Sequence, residues 1–333
     1  MKRSRPEIFG RTPRRLGCLL SLAMLAGCQT APPSRPGVPP TAPPVVTPAV
    51  TPLVTPEPPK SPAVVLPPPR PPRIGLALGG GAARGFAHIG VIQVLEEAGI
   101  RPALVAGTSA GSLVAAMYAA GKTGLELGQL ALTMDEGAIT DWSYPTRGLI
   151  RGEALARYVR EQTGGRTIEQ MKLPLGIVAT DLDSGAPILF QRGDTGAAVR
   201  ASSAVPAVFQ PVRIGSREYV DGGLVSPVPV RFARQMGAEL VIAVDISSPP
   251  EGNATGDVMK MLLQTFAIMG RSINQFELRD AEVVLRPLLV GVASADFSAR
   301  AKAVQAGREA ALRALPDLKA RIAAFMARQA RPD

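Results

Sequence analysis

Apolar and polar positions divide this chain of 333 residues into stretches of distinct character. From Arg73 onward, short apolar runs without polar alternation recur between stretches of helical period. These runs are RIGLALG (Arg73–Gly79), ALVAGT (Ala103–Thr108), LPLGIVATDL (Leu173–Leu182) and ELVIAVDI (Glu239–Ile246). Such runs predict strands buried on both faces, as in a parallel sheet covered by helices. Ala82–Ala98 sets Ala87, Val91, Val94 and Ala98 on one face and Ile89, Ile92 and Glu96 on another, with Gly99 past its end, which predicts a helix. A second helix is predicted over Ser109–Ala120, closed by Gly121. Met259–Phe276 repeats Leu262, Phe266, Met269 and Ile273 at turn spacing. It predicts a long helix packed on the core, with a wall for an acyl chain as the alternative. Ala299–Gln329 is Ala/Arg-rich and helical. Residues 73–333 therefore read as one α/β domain of three layers, a central and mostly parallel sheet between helices.

The first 72 residues follow other rules. A basic start (MKRSRPEIFGRTPRRLG), a short apolar run (CLLSLAML) and small residues before Cys28 predict an export signal over residues 1–27, too short to span a bilayer. Leu25-Ala26-Gly27-Cys28 resembles the lipobox of bacterial lipoproteins, which implies cleavage before Cys28 and a lipid on its sulfur. Gln29 is not the aspartate associated with inner-membrane retention, so the expected location is the periplasmic face of an outer membrane. Residues 28–72 are dense in proline and predict a disordered, polyproline-like linker. At ~3.1 Å per residue, its 44 residues from Gln29 to Pro72 reach on the order of 100 Å.

Charge and cysteine content narrow the function. The net charge of +10 suggests nucleic acid until it is located. Residues 1–72 hold nine Lys/Arg and two Glu, which leaves 28 basic against 25 acidic residues for the domain. No basic face or stripe is visible there, so no nucleic-acid partner is expected. Of the two cysteines, Cys18 lies in the signal and Cys28 is the expected lipidation site. That leaves no disulfide, no thiolate nucleophile and, with His88 the single histidine, no expected metal or other cofactor.

Three short stretches carry chemistry. The first is Gly107-Thr108-Ser109-Ala110-Gly111, a G-x-S-x-G set between a strand and a helix, the context of a nucleophile elbow. Gly107 and Gly111 suit a turn where strand and helix crowd each other, and the helix N-terminus favours an anion. The second is GGGAARG, Gly79 to Gly85, at another strand-to-helix junction. It is not a phosphate-binding P-loop, because Phe86 stands where the lysine belongs, and Arg84 breaks the dinucleotide G-x-G-x-x-G. What remains is a run of unobstructed backbone amides at Gly80, Gly81 and Ala82 with Arg84 beside them, a nest for an oxyanion. The third is Asp221-Gly222-Gly223, which taken alone reads as a hairpin turn between two strand-like runs.

Taken in order, GGGAARGFAHIGV, GTSAG, ATDLDSG, ASSAVPAVFQPV and DGG resemble the patatin-like phospholipases, the bacterial group in particular, from about Arg73 to Asp245. The resemblance implies an α/β fold, hydrolysis of acyl esters of lipids and a Ser–Asp dyad. Ser109 would be the nucleophile and Asp221 the base, and Gly80 and Gly81 with the Ala110 amide would form the oxyanion hole. The glycine loop holds one residue more before its arginine than in many plant and animal members. His88 is expected to brace that loop rather than to act as the base, since a catalytic histidine also needs a carboxylate to orient it. Three readings stand at this point. They are a tethered hydrolase of phospholipids or lysophospholipids, an acyltransferase or general esterase using the same site, and a non-catalytic envelope lipoprotein that binds lipid or a partner.

Overall fold

The computed structural model describes residues 70–142, 147–250, 255–293 and 296–329. The expected signal, the lipidation of Cys28 and the linker up to residue 69 lie outside the described residues. In chain order the first half of the domain forms β1 (Ile74–Leu78), α1 (Phe86–Glu97), β2 (Leu104–Thr108), α2 (Ala110–Ala119), α3 (Gly124–Thr133), β3 (Gly148–Ile150), α4 (Glu153–Gln162) and β4 (Leu175–Asp181). The second half continues with β5 (Pro187–Phe190), α5 (Thr195–Ser202), β6 (Ala207–Phe209), β7 (Val212–Ile214), β8 (Arg217–Asp221) and α6 (Val230–Gln235). It ends with β9 (Leu240–Val244), α7 (Val258–Glu277), β10 (Val283–Leu285) and α8 (Arg300–Gln329).

β10, β9, β1, β2 and β4 pair in that order and all run parallel, while β5 and β8 join β4 antiparallel and β7 joins β8 antiparallel. β3 and β6 form a separate two-stranded piece. The parallel strands are apolar throughout because helices cover both faces. Leu76, Leu78, Val105, Ile242 and Val244 point into the larger core with α1, α2, α4, α5 and α8. The alternate positions Ala77, Ala106, Val241 and Ala243 meet α6 through Val230 and Ala233. Small side chains on that face let α6 lie close.

Register on β4 decides where the chemistry sits. Gly107 and Phe190 both pair with Ile177, so β2 and β5 occupy opposite edges of β4. Ala179 pairs with Asp221 and with Ile188, so β8 lies on the edge that β2 uses, just beyond β2. Thr108 pairs with Val178 and Asp221 with the next residue, Ala179. β2 and β8 therefore abut, C-terminus to C-terminus, along one edge of a single host strand.

Three expectations change. The predicted helix from Ala82 begins as a 3-10 turn over Ala82–Gly85, where Ala82 takes a positive φ of 50° and the helix proper cannot start. Asp221-Gly222-Gly223 is not a hairpin turn: the hairpin lies at Gly215, between β7 and β8, and after Asp221 the chain enters a 3-10 turn. α7 is not a core helix, since only Gly270, Asn274 and Glu277 along it are buried. Arg70, at the end of the expected linker, is fastened to the domain through Glu239, at 2.7 Å to each carboxylate oxygen. Among the described residues no helix is long and apolar enough to cross a membrane.

Candidate active site

Ser109 stands between β2 and α2, in the sharp strand-to-helix turn its flanking glycines predict. A Cβ on Gly107 would lie 2.4 Å from the Gly111 carbonyl oxygen, and one on Gly111 would lie 2.1 Å from that of Leu78. Neither position tolerates a side chain. Ser109 itself is held at φ 53°, a left-handed conformation that a non-glycine residue adopts only when its surroundings enforce it. Two contacts supply the enforcement. The Ser109 amide donates to Ser202 Oγ at 2.8 Å, and that hydroxyl donates to the Val178 carbonyl at 2.6 Å. On the other side, Thr108 Oγ1 donates to the Ser226 carbonyl at 2.9 Å.

Asp221 ends β8 and faces the same groove as Ser109. Its backbone is tied down by donation to the Ala204 carbonyl and by acceptance from Thr180 Oγ1. Oδ1 accepts from the Gly223 amide at 2.7 Å, while buried Oδ2 has no hydrogen-bond partner among the described residues. Burial drives the carboxyl's pKa up to about 6, against the opposing pull of the Ser109 hydroxyl and the Gly223 amide. The result is a carboxylate with one oxygen anchored and one unspent, next to a hydroxyl.

The glycine loop departs from its expected roles in two respects. The Gly80 amide donates to the Pro227 carbonyl at 2.9 Å and is not a free donor. Its contribution is space, because a Cβ there would stand 3.1 Å from Ser109 Cβ. Arg84 is not at the oxyanion position either. Its side chain is buried and its guanidinium donates to the Ser247 carbonyl, on the segment after β9. Burial lowers its pKa, with Asp245 opposing. Arg84 is thus a brace under the loop. The amides of Gly81, Ala82 and Ala110 donate to no carbonyl among the described residues. Gly85 packs where a Cβ would meet Ala110 Cβ at 2.8 Å, Gly79 lies against Val228, and Gly222 lies against the Val178 carbonyl.

His88 is fully buried and its Nε2 donates to the Gly79 carbonyl at 2.8 Å, while Nδ1 has no partner. Burial lowers its pKa to about 4, so the ring is neutral at physiological pH. It does not line the groove, and it braces the glycine loop from behind. Ser202 was not singled out by sequence reasoning, although it lies within ASSAVPAV. Nor were Ser226 and Glu277, whose 2.6 Å hydrogen bond secures α7 to the segment that follows β8. A single hydroxyl or carboxylate carries no signal of such a distant partner.

The groove above Ser109 has a volume of about 430 Å³ and walls that are largely apolar. Val205, Pro206, Leu224 and Pro227 form one side, and Leu263, Phe266 and Ala267 of α7 form the other. α7 thus takes the second of its two expected roles, a wall of the groove. Among the described residues no cluster of His, Cys, Asp and Glu is arranged to hold a metal ion.

Residues 76–234, which contain the elbow, the glycine loop and Asp221, match the family model described as Patatin-like phospholipase. An uncharacterised NTE family protein of Mycobacterium tuberculosis is 40% identical over 186 residues, which cover 55% of this chain and 51% of that protein. Patatin-like phospholipase domain-containing protein 6 of Mus musculus is 36% identical over 186 residues, covering 54% of this chain and 14% of that protein. The chain therefore spans about half the length of the mycobacterial relative and a small part of the mammalian one. Among solved structures, VipD from Legionella pneumophila superposes with a TM-score of 0.52 at 15% identity, over 74% of this chain and 67% of that chain. That likeness is one of fold.

Proposed function

We propose that the domain is a lipid acyl hydrolase that works through a Ser109–Asp221 dyad and an acyl-enzyme, with phospholipids or lysophospholipids as substrates. Asp221 takes the proton from Ser109 Oγ as that oxygen bonds to the ester carbonyl carbon. The carbonyl oxygen, now an anion, is held by the amides of Gly81, Ala82 and Ala110 at the start of α2. Collapse of the tetrahedral species breaks the bond to the leaving alcohol, which takes the proton back from Asp221. Water then attacks the Ser109 ester, with Asp221 again as base, and releases the fatty acid. Each well-placed amide donor contributes roughly 3–4 kcal/mol to the transition state. The apolar groove supports an acyl chain as the substrate's bulk and excludes water from the ester.

The observation that carries this reading is the strained Ser109 sharing a groove with a buried carboxylate whose pKa is raised to about 6 and whose Oδ2 is unpartnered. The Ser109 hydroxyl already acts on the Asp221 carboxyl, and catalytic hydrogen bonds of this kind tighten in the Michaelis complex. Labelling by a serine-directed fluorophosphonate, located by peptide mass spectrometry, tests it. Modification of Ser109, blocked by a competing phospholipid, is the expected result; an unlabelled Ser109 in folded protein refutes the enzyme. The same proposal hangs the domain from lipidated Cys28 on the periplasmic face of an outer membrane, with the proline-rich segment as tether. Incorporation of labelled palmitate, lost in Cys28→Ser, checks the anchor.

A further inference from the structure

Helix α7 carries an apolar face that none of the described residues covers. Val258, Met261, Ile268, Met269 and Phe276 are 42–88% exposed along it. At about 100° per residue these positions gather on the side turned away from the domain. The opposite side fixes that setting. Asn274 Nδ2 donates to Ser247 Oγ at 3.0 Å, and Glu277 Oε1 accepts from Ser226 Oγ at 2.6 Å. Rotating the helix to hide its apolar face would strip both buried groups of their partners, so the fold holds that face outward. The same inward side, through Leu263, Phe266, Ala267 and Gly270, lines the groove above Ser109, together with Lys260, which pairs with Asp257 at the helix start, and Arg271. Between Val258 and Phe276 the helix bears those two cations and no carboxylate.

We propose that the exposed face of α7 docks on a phospholipid bilayer, with the helix lying in the headgroup layer beside the mouth of the groove. An amphipathic helix with cations beside its apolar face binds an interface through buried apolar area and attraction to lipid phosphates. Here one face of α7 meets the bilayer and the opposite face walls the groove, so a single helix separates membrane from Ser109 and sets the groove mouth at the lipid surface. The proposal rests on the groove being a lipid-ester site, although docking itself requires no bond to break.

The test uses the full chain with Cys18→Ser and Cys28→Ser and one new cysteine, Ile268→Cys, bearing an environment-sensitive fluorophore. Vesicles of mixed phosphatidylcholine and phosphatidylglycerol are expected to shift its emission to the blue, whereas the same label at exposed Gln129→Cys on α3 does not respond. Met261→Glu with Met269→Glu is expected to abolish the shift and lower hydrolysis of vesicle lipid about tenfold or more. Hydrolysis of a soluble short-chain nitrophenyl ester stays unchanged, since neither methionine lines the groove. A label that ignores vesicles, or that responds equally at Gln129, overturns the docking proposal. So does a label already shifted without lipid, whether a second copy or this chain's own N-terminal segment covers the face. A chain that docks yet leaves the soluble ester intact sinks the hydrolase reading instead.

Discussion

A lone carboxylate can deprotonate a serine only if its own proton affinity is high enough, and in water an aspartate falls some three units short of neutrality. Burial supplies much of the difference at Asp221, and it also sets a cost. The folded chain keeps the Asp221 proton up to about pH 6, whereas an unperturbed carboxyl releases it near 3.8, so ionisation weakens the fold as pH rises between those values. The penalty above pH 6 is up to about 3 kcal/mol. Asp221→Asn is therefore expected to melt higher than the parent at neutral pH and level with it near pH 4, as calorimetry would show. His88 titrates in the opposite sense. Its pKa falls from 6.5 to about 4 on folding, so the stability it contributes is complete above pH 6.5 and lost as pH falls through about 4. On ester substrate, kcat/KM is expected to rise with pH along an acid limb centred near 6. Ser109→Ala and Asp221→Asn should each lower kcat by about a hundredfold or more. His88→Ala, which removes only the brace on Gly79, should keep at least about a tenth of the activity while folded; equal loss at His88 would make the histidine the base.

The elbow and the glycine loop were legible in the sequence because their constraints are local: a glycine is demanded wherever neighbouring backbone leaves no room for a Cβ. What could not be read is which amide remains free once the loop folds. The carbonyl that takes the Gly80 amide belongs to Pro227, 147 residues away in the chain. Asp221 misled for a related reason. A D-G pair is a strong turn signal, yet here the carboxyl accepts from the Gly223 amide and starts a 3-10 turn after the hairpin has already closed at Gly215. α7 shows the limit of periodicity, which reports that a helix has an apolar side but not what lies against it. Ser202 is the hidden support of the elbow. Ser202→Ala removes the acceptor of the Ser109 amide, and it is expected to reduce kcat on the order of tenfold with little change in KM. A change confined to KM would show that the brace does not hold the nucleophile.

α8, whose sequence offered only composition, proves to be structural. It crosses α1 at two glycines: a Cβ on Gly90 would stand 1.9 Å from the Val304 carbonyl oxygen, and one on Gly307 would stand 1.9 Å from that of Ala87. α1 carries His88, so this crossing presses on the helix that braces the glycine loop. Gly307→Val must force the two helices apart and is expected to destabilise the domain by about 3 kcal/mol or more, measurable by urea unfolding. The abutment of β2 and β8 on β4 has a different consequence. The hydroxyl and the carboxyl are 112 residues apart, and no local segment contains both. A nascent or incompletely folded chain thus cannot carry out the proposed reaction, however much of it has been made. Competence arrives late, when β8 closes against β4. In this way folding itself acts as the activation step, and the proposed hydrolase cannot reach lipid until that step is finished.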